Sequence, residues 1–131
     1  MKKIEKVAVV MGGLSSEREI SFQSGKGVAQ ALKQKGYTVL EIDLTNNIAS
    51  FVQQLNTFKP DVVFNALHGR YGEDGCIQGM LNLMQIPYTH SGVQASAIGM
   101  DKNKTRQLAE SLHIPVAKGG LKSKQDLQNQ M

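Results

Sequence analysis

The residues best equipped for chemistry stand together in His68-Gly69-Arg70-Tyr71-Gly72-Glu73-Asp74-Gly75, with Gln78-Gly79 close behind. One imidazole, one guanidinium and two carboxylates sit among four glycines, directly after the strand-like run Val62-Val63-Phe64-Asn65-Ala66-Leu67. Glycine at that density lets a backbone turn sharply and approach a ligand closely. A second segment of similar character, Gly12-Gly13-Leu14-Ser15-Ser16-Glu17-Arg18-Glu19, follows the apolar run Val7 to Met11. Loops that leave strand carboxyl ends line the ligand crevice of an open α/β sheet. Two of them in one small domain predict a site.

Each side chain has a structural and a functional reading. Glu17 begins a helix, where a carboxylate is favoured by the dipole; it is equally an anion able to receive an ammonium group. Arg18 and Glu19 beside it read as a solvated ion pair and a cap. His68 is either a satisfied structural imidazole or, at a strand end, a donor toward a ligand. Glu73 and Asp74 are weak evidence for a metal; Asp74 reads as the N-cap of the following helix and Glu73 as an acceptor for loop amides. Cys76, the one cysteine, excludes an intrachain disulfide and reads as a small packed residue. A dinucleotide reading fails on mechanism. The G-x-G-x-x-G pattern is replaced by G-G-L-S-S-E, so Glu17 would set a negative charge against the pyrophosphate.

The elements that must position these loops alternate strand and helix. Val7–Met11 is apolar at successive positions, as in a parallel strand covered on both faces. Ser16 three residues before Glu19 has capping-box spacing, and Ile20, Ser24, Val28, Ala31 and Leu32 predict the inward face of the helix that follows. Gly36 ends it. Strands are expected over 37–42 and 61–67, with a short helix around Ile48, Val52 and Leu55 between them, stopped at Lys59-Pro60. Ile77, Met80, Leu81 and Met84 mark a third helix, and Pro87-Tyr88-Thr89 a fourth strand. Helical stretches over 95–100 and 104–112 divide near Asp101, a strand or connection spans 113–116, and a polar helix begins near Ser123. This order predicts an α/β fold: a Rossmann-like three-layer domain with a parallel sheet. Both loops then share one rim.

Composition narrows the function classes. A chain of 131 residues suits one domain with a substantial core. Its formal charge of +4 lacks the aromatic interleaving of a nucleic-acid surface, so no nucleic-acid partner is expected. No apolar run reaches membrane-spanning length and Lys2-Lys3 opens no secretory signal, so the expected location is cytoplasmic.

Three blocks together resemble one family. His68 to Gly79, H-G-R-Y-G-E-D-G-C-I-Q-G, resembles the first signature of the D-alanine–D-alanine ligases, and Gly12 to Ser21 resembles their opening loop. Pro87 to Val93, with Ala95-Ser96 and Met100-Asp101-Lys102, resembles a third block. The resemblance implies a pre-ATP-grasp N-terminal domain over 1–118 and the start of the ATP-grasp region over 119–131. It implies D-alanine and ATP as small-molecule partners, with Mg²⁺ as cofactor and its ligands beyond these residues. The product would be D-alanyl-D-alanine for peptidoglycan, and the protein a homodimer. By position, Glu17 would hold the first D-alanine's ammonium, Ile20 would line that pocket, His68 would contact its carboxylate region and Lys102 would contact ATP. Without the resemblance Lys102 reads as a surface lysine. Leu14, His90 and Lys118 depart from the family pattern, where Thr or Lys, Gly, and Pro respectively are usual. The Mg²⁺ carboxylates, the transition-state arginine and the loop over ATP belong to the family's remaining portion, so these residues alone are expected to be inactive. A free-standing binding module of the same fold is the alternative, and the sequence leaves open D-alanine, D-serine or D-lactate as second substrate.

Overall fold

Strand β1 (Lys6–Gly12) is buried from Val7 onward because it lies at the centre of a parallel sheet of order β2-β1-β3. The computed structural model describes residues 3–123 together with Gln125 and Gln128. The flanking strands are β2 (Thr38–Leu44) and β3 (Val62–Asn65), and Val10 faces Ile42 on one side and Asn65 on the other. Alternate residues of β1 feed two cores. Ala8 and Val10 pack with Ile42, Phe51, Leu55, Val63 and Leu81, whereas Val7, Val9 and Met11 pack with Ala29 and Ala66. Helix α1 (Arg18–Gln34) covers the second face; α2 (Ile48–Phe58) and α3 (Cys76–Leu83) cover the first. The predicted three-layer α/β arrangement is thus present.

Several local expectations are corrected. The buried stripe of α1 is Ser21, Gly25 and Ala29, not Ile20, Ser24 and Ala31. The helix lies so close to β1 that a Cβ at Gly25 would stand 2.6 Å from the Met11 Cβ. Only small residues fit there, and Ile20 is left 52% exposed. The Ser16–Glu19 capping box does not form: Glu17 is the N-cap and receives no side-chain bond across the first turn. Ser15 acts instead, its Oγ accepting from Glu17 N at 3.2 Å. The third strand stops at Asn65 rather than Leu67, because Asn65 Oδ1 accepts from Leu67 N at 3.1 Å and closes a side-chain turn. The fourth strand is reduced to one parallel bridge between Tyr88 and Val63. His90, at φ 99°, follows directly and turns the chain away.

Beyond α3 lie α4 (Val93–Met100) and α5 (Lys102–Ser111), divided as expected at Asp101. Asp101 Oδ1 accepts from Asn103 N and Lys104 N, both at 3.0 Å, and so starts α5. Residues 113–116 form an irregular connection, and the helix expected from Ser123 onward lies outside the described residues apart from helical Gln125 and Gln128. No helix among the described residues is long and apolar enough to cross a membrane.

The close helix–sheet approach gives a paired prediction. Replacing a helical glycine by alanine gains about 1 kcal/mol of helix propensity. At Gly27, where nothing lies within 4 Å of the new Cβ, that gain stands. At Gly25 overpacking of about 1–3 kcal/mol outweighs it. Urea unfolding is expected to show a higher midpoint for Gly27→Ala and a lower one for Gly25→Ala; a raised midpoint in both would dismiss the tight contact.

Candidate functional site at the sheet's carboxyl edge

Two serines of the first loop region stitch it to the second. Ser21, fully buried, accepts from Gly12 N at 2.9 Å and donates to Ala66 O at 2.7 Å. Ser15 donates to His68 O at 2.7 Å while its oxygen receives Glu17 N. Sequence reasoning passed over both serines. The signal available for Ser21 was its i, i+4, i+8 spacing with Gly25 and Ala29, a stripe of small residues on a helix facing a bulky strand.

Glu17, Ile20 and His68 therefore share one rim. The Glu17 carboxylate lies against Gly69, where a Cβ would come 3.0 Å from Oε2. Among the described residues no hydrogen bond or ion pair occupies that carboxylate. His68 Nε2 lies 3.3 Å from Ser24 Oγ, whose own hydroxyl hydrogen goes to Ile20 O at 3.0 Å. Ser24 Oγ thus accepts, which assigns the His68 proton to Nε2. Lys102 stands elsewhere. It lines a cavity of about 860 Å³ with Arg70, Asp74, Asp101 and Lys104, and neither Glu17 nor His68 borders that space.

The remaining charged groups organise the loops. Arg18 does not pair with Glu19. Its Nη2 meets Asp43 Oδ2 at 2.7 Å, Nη1 donates to Gly13 O at 3.0 Å, and the guanidinium lies 4.8 Å from the Phe22 ring centre. The Asp43 hydrogen bond, above all, raises the Arg18 pKa further. Gly12, at φ 83°, is required here because a Cβ would come 2.2 Å from Asp43 Oδ1. Glu73 does accept a loop amide, Gly69 N at 2.6 Å. The N-cap of α3 is Gly75 rather than Asp74, yet Asp74 Oδ1 receives Cys76 N at 3.1 Å from one residue further back. Cys76 is exposed, not packed. Hydrogen bonding to Asp74, with a smaller effect of burial, raises its thiol pKa, which disfavours the nucleophilic thiolate. No three His, Cys, Asp or Glu side chains converge on a possible metal position among the described residues.

With this geometry in place, comparison with known proteins is decisive. The family model described as D-ala D-ala ligase N-terminus matches residues 6–60 and 50–91. The chain belongs to this family. A D-alanine–D-alanine ligase of Paramagnetospirillum magneticum is 52% identical over 93% of the chain, and D-alanine–D-alanine ligase B of Brucella suis is 52% identical over 95%. The chain spans 40% of the first relative's length and 39% of the second's. Among solved structures, the ATP complex of the Bacillus anthracis D-alanine–D-alanine ligase superimposes with a TM-score of 0.77. It is 30% identical, over 95% of this chain and 44% of its own. Family membership and the Rossmann-like fold agree with the resemblance read from the signature blocks.

Two predictions test how the loops are held. Ser21→Ala strands Gly12 N and Ala66 O without their partner and is expected to cost about 1–3 kcal/mol in urea unfolding; an unchanged midpoint would show the hydroxyl to be dispensable. For Asp74, burial opposes the charged form, but bonds from Cys76 and the Arg70 side chain outweigh it and hold the carboxyl below its ordinary value. A lowered carboxyl pKa contributes stability above the unfolded value of about 3.9 and loses it as pH falls through the folded value. The stability gap between the native chain and Asp74→Asn is therefore expected to be full at pH 6 and to shrink below about pH 4; a pH-independent gap contradicts this.

Proposed function

We propose that these residues form the N-terminal part of an ATP-dependent ligase that joins two D-alanines into D-alanyl-D-alanine for the cell wall. The observation that carries this is the unoccupied charge of Glu17, set beside Gly69 on the rim it shares with His68 and Ile20. A substrate ammonium at Glu17 directs the same molecule's carboxylate toward His68, whose Nε2–H would exchange its bond to Ser24 Oγ for one to that carboxylate. Ile20, exposed on the same rim, supplies the apolar wall for the methyl group. A charge-assisted hydrogen bond to Glu17 contributes about 1.5–3 kcal/mol and holds the acyl group in one orientation.

In this reading ATP transfers its γ-phosphoryl group to the first D-alanine's carboxylate, leaving ADP and an acyl phosphate. The amine of the second D-alanine attacks that carbonyl, the amide bond forms, and phosphate departs with loss of a proton. In this reading Lys102 meets phosphate charge; it lines a cavity where Arg70 and Lys104 face Asp74 and Asp101, and its own ammonium supplies the excess positive charge. Mg²⁺, when bound, neutralises phosphate charge; the carboxylates described here do not converge to hold it, and no step is assigned to them. We further assign residues 1–118 to the substrate domain and 119–131 to the start of the ATP-grasp region, in a cytoplasmic homodimer.

The test is titration of the isotopically labelled chain with D-alanine, read by the amide resonances of Ile20, His68 and Gly69. D-alanine is expected to shift them and L-alanine to shift them less. Glu17→Gln should weaken binding about ten- to a hundredfold. Equal affinity in the variant removes Glu17 from the site. The 131 residues alone should release no phosphate from ATP in the presence of D-alanine, and measurable release would overturn that part of the reading.

A further inference from the structure

The Gly-rich loop has a buried support, Asn65, that lies outside its His68–Gly79 signature block. Asn65, 2% exposed, sits at the last position of β3 and makes contacts in three directions. Its Oδ1 receives Leu67 N at 3.1 Å, its Nδ2 donates to Gly72 O at 2.8 Å, and the same Nδ2 lies 3.3 Å from His90 Nδ1. The Leu67 contact fixes which amide atom is oxygen, so Nδ2 is a donor and His90 Nδ1 its acceptor. Gly72 O receives a second amide, Gln78 Nε2 at 2.8 Å, and both of its lone pairs are then used. Gln78 is fully buried, and among the described residues its Oε1 has no partner. A buried unmet acceptor is costly, so a glutamine retained there must return something through its other end. That end is the Gly72 carbonyl.

We propose that Asn65 is the positioning residue of the candidate D-alanine site, with Gln78 as its assistant on the Gly72 carbonyl. The inference rests on the Glu17–His68 reading of that site and adds how the site is held. One amide sets two things at once. Through Leu67 N it ends β3 and fixes the backbone that enters His68. Through Gly72 O it pins the far side of the loop, whose amides Gly72 and Glu73 both bond back to Gly69 O, at 2.9 and 3.0 Å. Gly69 is the residue against which the Glu17 carboxylate rests. His90 supports the amide from the exposed side at φ 99°, an unfavourable conformation for a side-chain-bearing residue.

The roles separate by substitution. Asn65→Ser keeps an acceptor for Leu67 N, as serine does in the same kind of turn, but is too short to reach Gly72 O. Gln78→Met removes only the second donor to Gly72 at nearly constant volume. Asn65→Ala removes everything. Amide hydrogen exchange of the 131-residue chain, followed by NMR, is the primary readout and requires no ligand. Gly69, Gly72 and Glu73 are expected to lose protection at least tenfold in all three variants relative to Ala8 and Val10. Leu67 should lose protection only in Asn65→Ala. Loss in equal proportion at β1, or unchanged loop protection, overturns the proposal. If Asn65→Ala does not fold, Asn65→Ser and Gln78→Met decide it.

A D-alanine titration of the same samples supplies the second arm. Binding should weaken at least fivefold in Asn65→Ala and clearly less in Gln78→Met, since only the former also frees the His68 backbone. Equal weakening in both refutes a specific role for Asn65. If the native chain fails to bind D-alanine while the exchange pattern holds, the ligand reading of this chain fails and the support of the loop stands.

Discussion

Everything at the candidate site depends on one buried hydroxyl. Ser21 Oγ takes the amide of the last residue of β1 and gives its hydrogen to the carbonyl that follows β3, so two strands and a helix converge on a single atom. Such a bond exists only where the helix comes within touching distance of the sheet. Gly25 and Ala29 permit that approach, and Met11 fills the space they leave. In a water-excluded position neither Gly12 N nor Ala66 O has an alternative partner, which makes the arrangement stringent rather than merely favourable. The two loops are thereby brought together by the core, before any of their own residues act.

The signature residues divide by what they touch. Glu73 and Asp74, weak evidence for a metal in sequence, spend their oxygens on Gly69 N and Cys76 N, and Arg70 is tied to Asp74 at 3.1 Å. Gly72 is required by packing, since a Cβ there would lie 2.2 Å from the Leu67 Cβ. What remains without a partner on the rim, among the described residues, is the Glu17 carboxylate; His68 Nε2 is held by Ser24 Oγ at 3.3 Å. A dense cluster of functional-looking groups thus reduces to one exposed carboxylate, beside a half-buried imidazole, on an internally satisfied frame. This is the economy expected where a loop must hold a charged ligand without moving.

The sequence carried the fold at the level of elements, because a doubly covered central strand cannot be mistaken: Val7 to Met11 has no polar residue. It located Glu17 and His68 on the rim through their places after strands, and it singled out Lys102 only through family likeness. What it hid are effects of close approach. Ile20 and Ser24 have helical spacing suited to burial, yet Gly25 pulls the neighbouring stripe inward and leaves them on the rim. Arg18 appears paired with Glu19 by adjacency, whereas the register of β2 against β1 delivers Asp43 to it. Ser15 outcompetes Ser16 because it alone reaches the His68 carbonyl. None of these choices is encoded in local periodicity; each follows from which backbone lies nearest in three dimensions.

The rim and Lys102 differ in how firmly they are held. Glu17 and His68 are fastened through Ser15, Ser21 and Asn65 to β1, buried from Val7 onward, and to the end of β3. Lys102 starts a helix that has no buried residue, packed on α4, which likewise has none. That outer layer meets the core where Val93 lies over Gly75 and Gly79, glycines that leave room for its side chain. Local stability follows the density of buried contacts, so the outer helices are the part of the chain able to shift against the rim at least cost. The Val93 contact is also the shortest mechanical route between the two, because Gly75 ends the same loop whose Gly69 supports Glu17. A displacement of α4 is therefore felt first at the N-terminus of α3. Between there and Gly69 stand the Glu73 bond to Gly69 N and the Gly72 carbonyl that Asn65 and Gln78 hold in place.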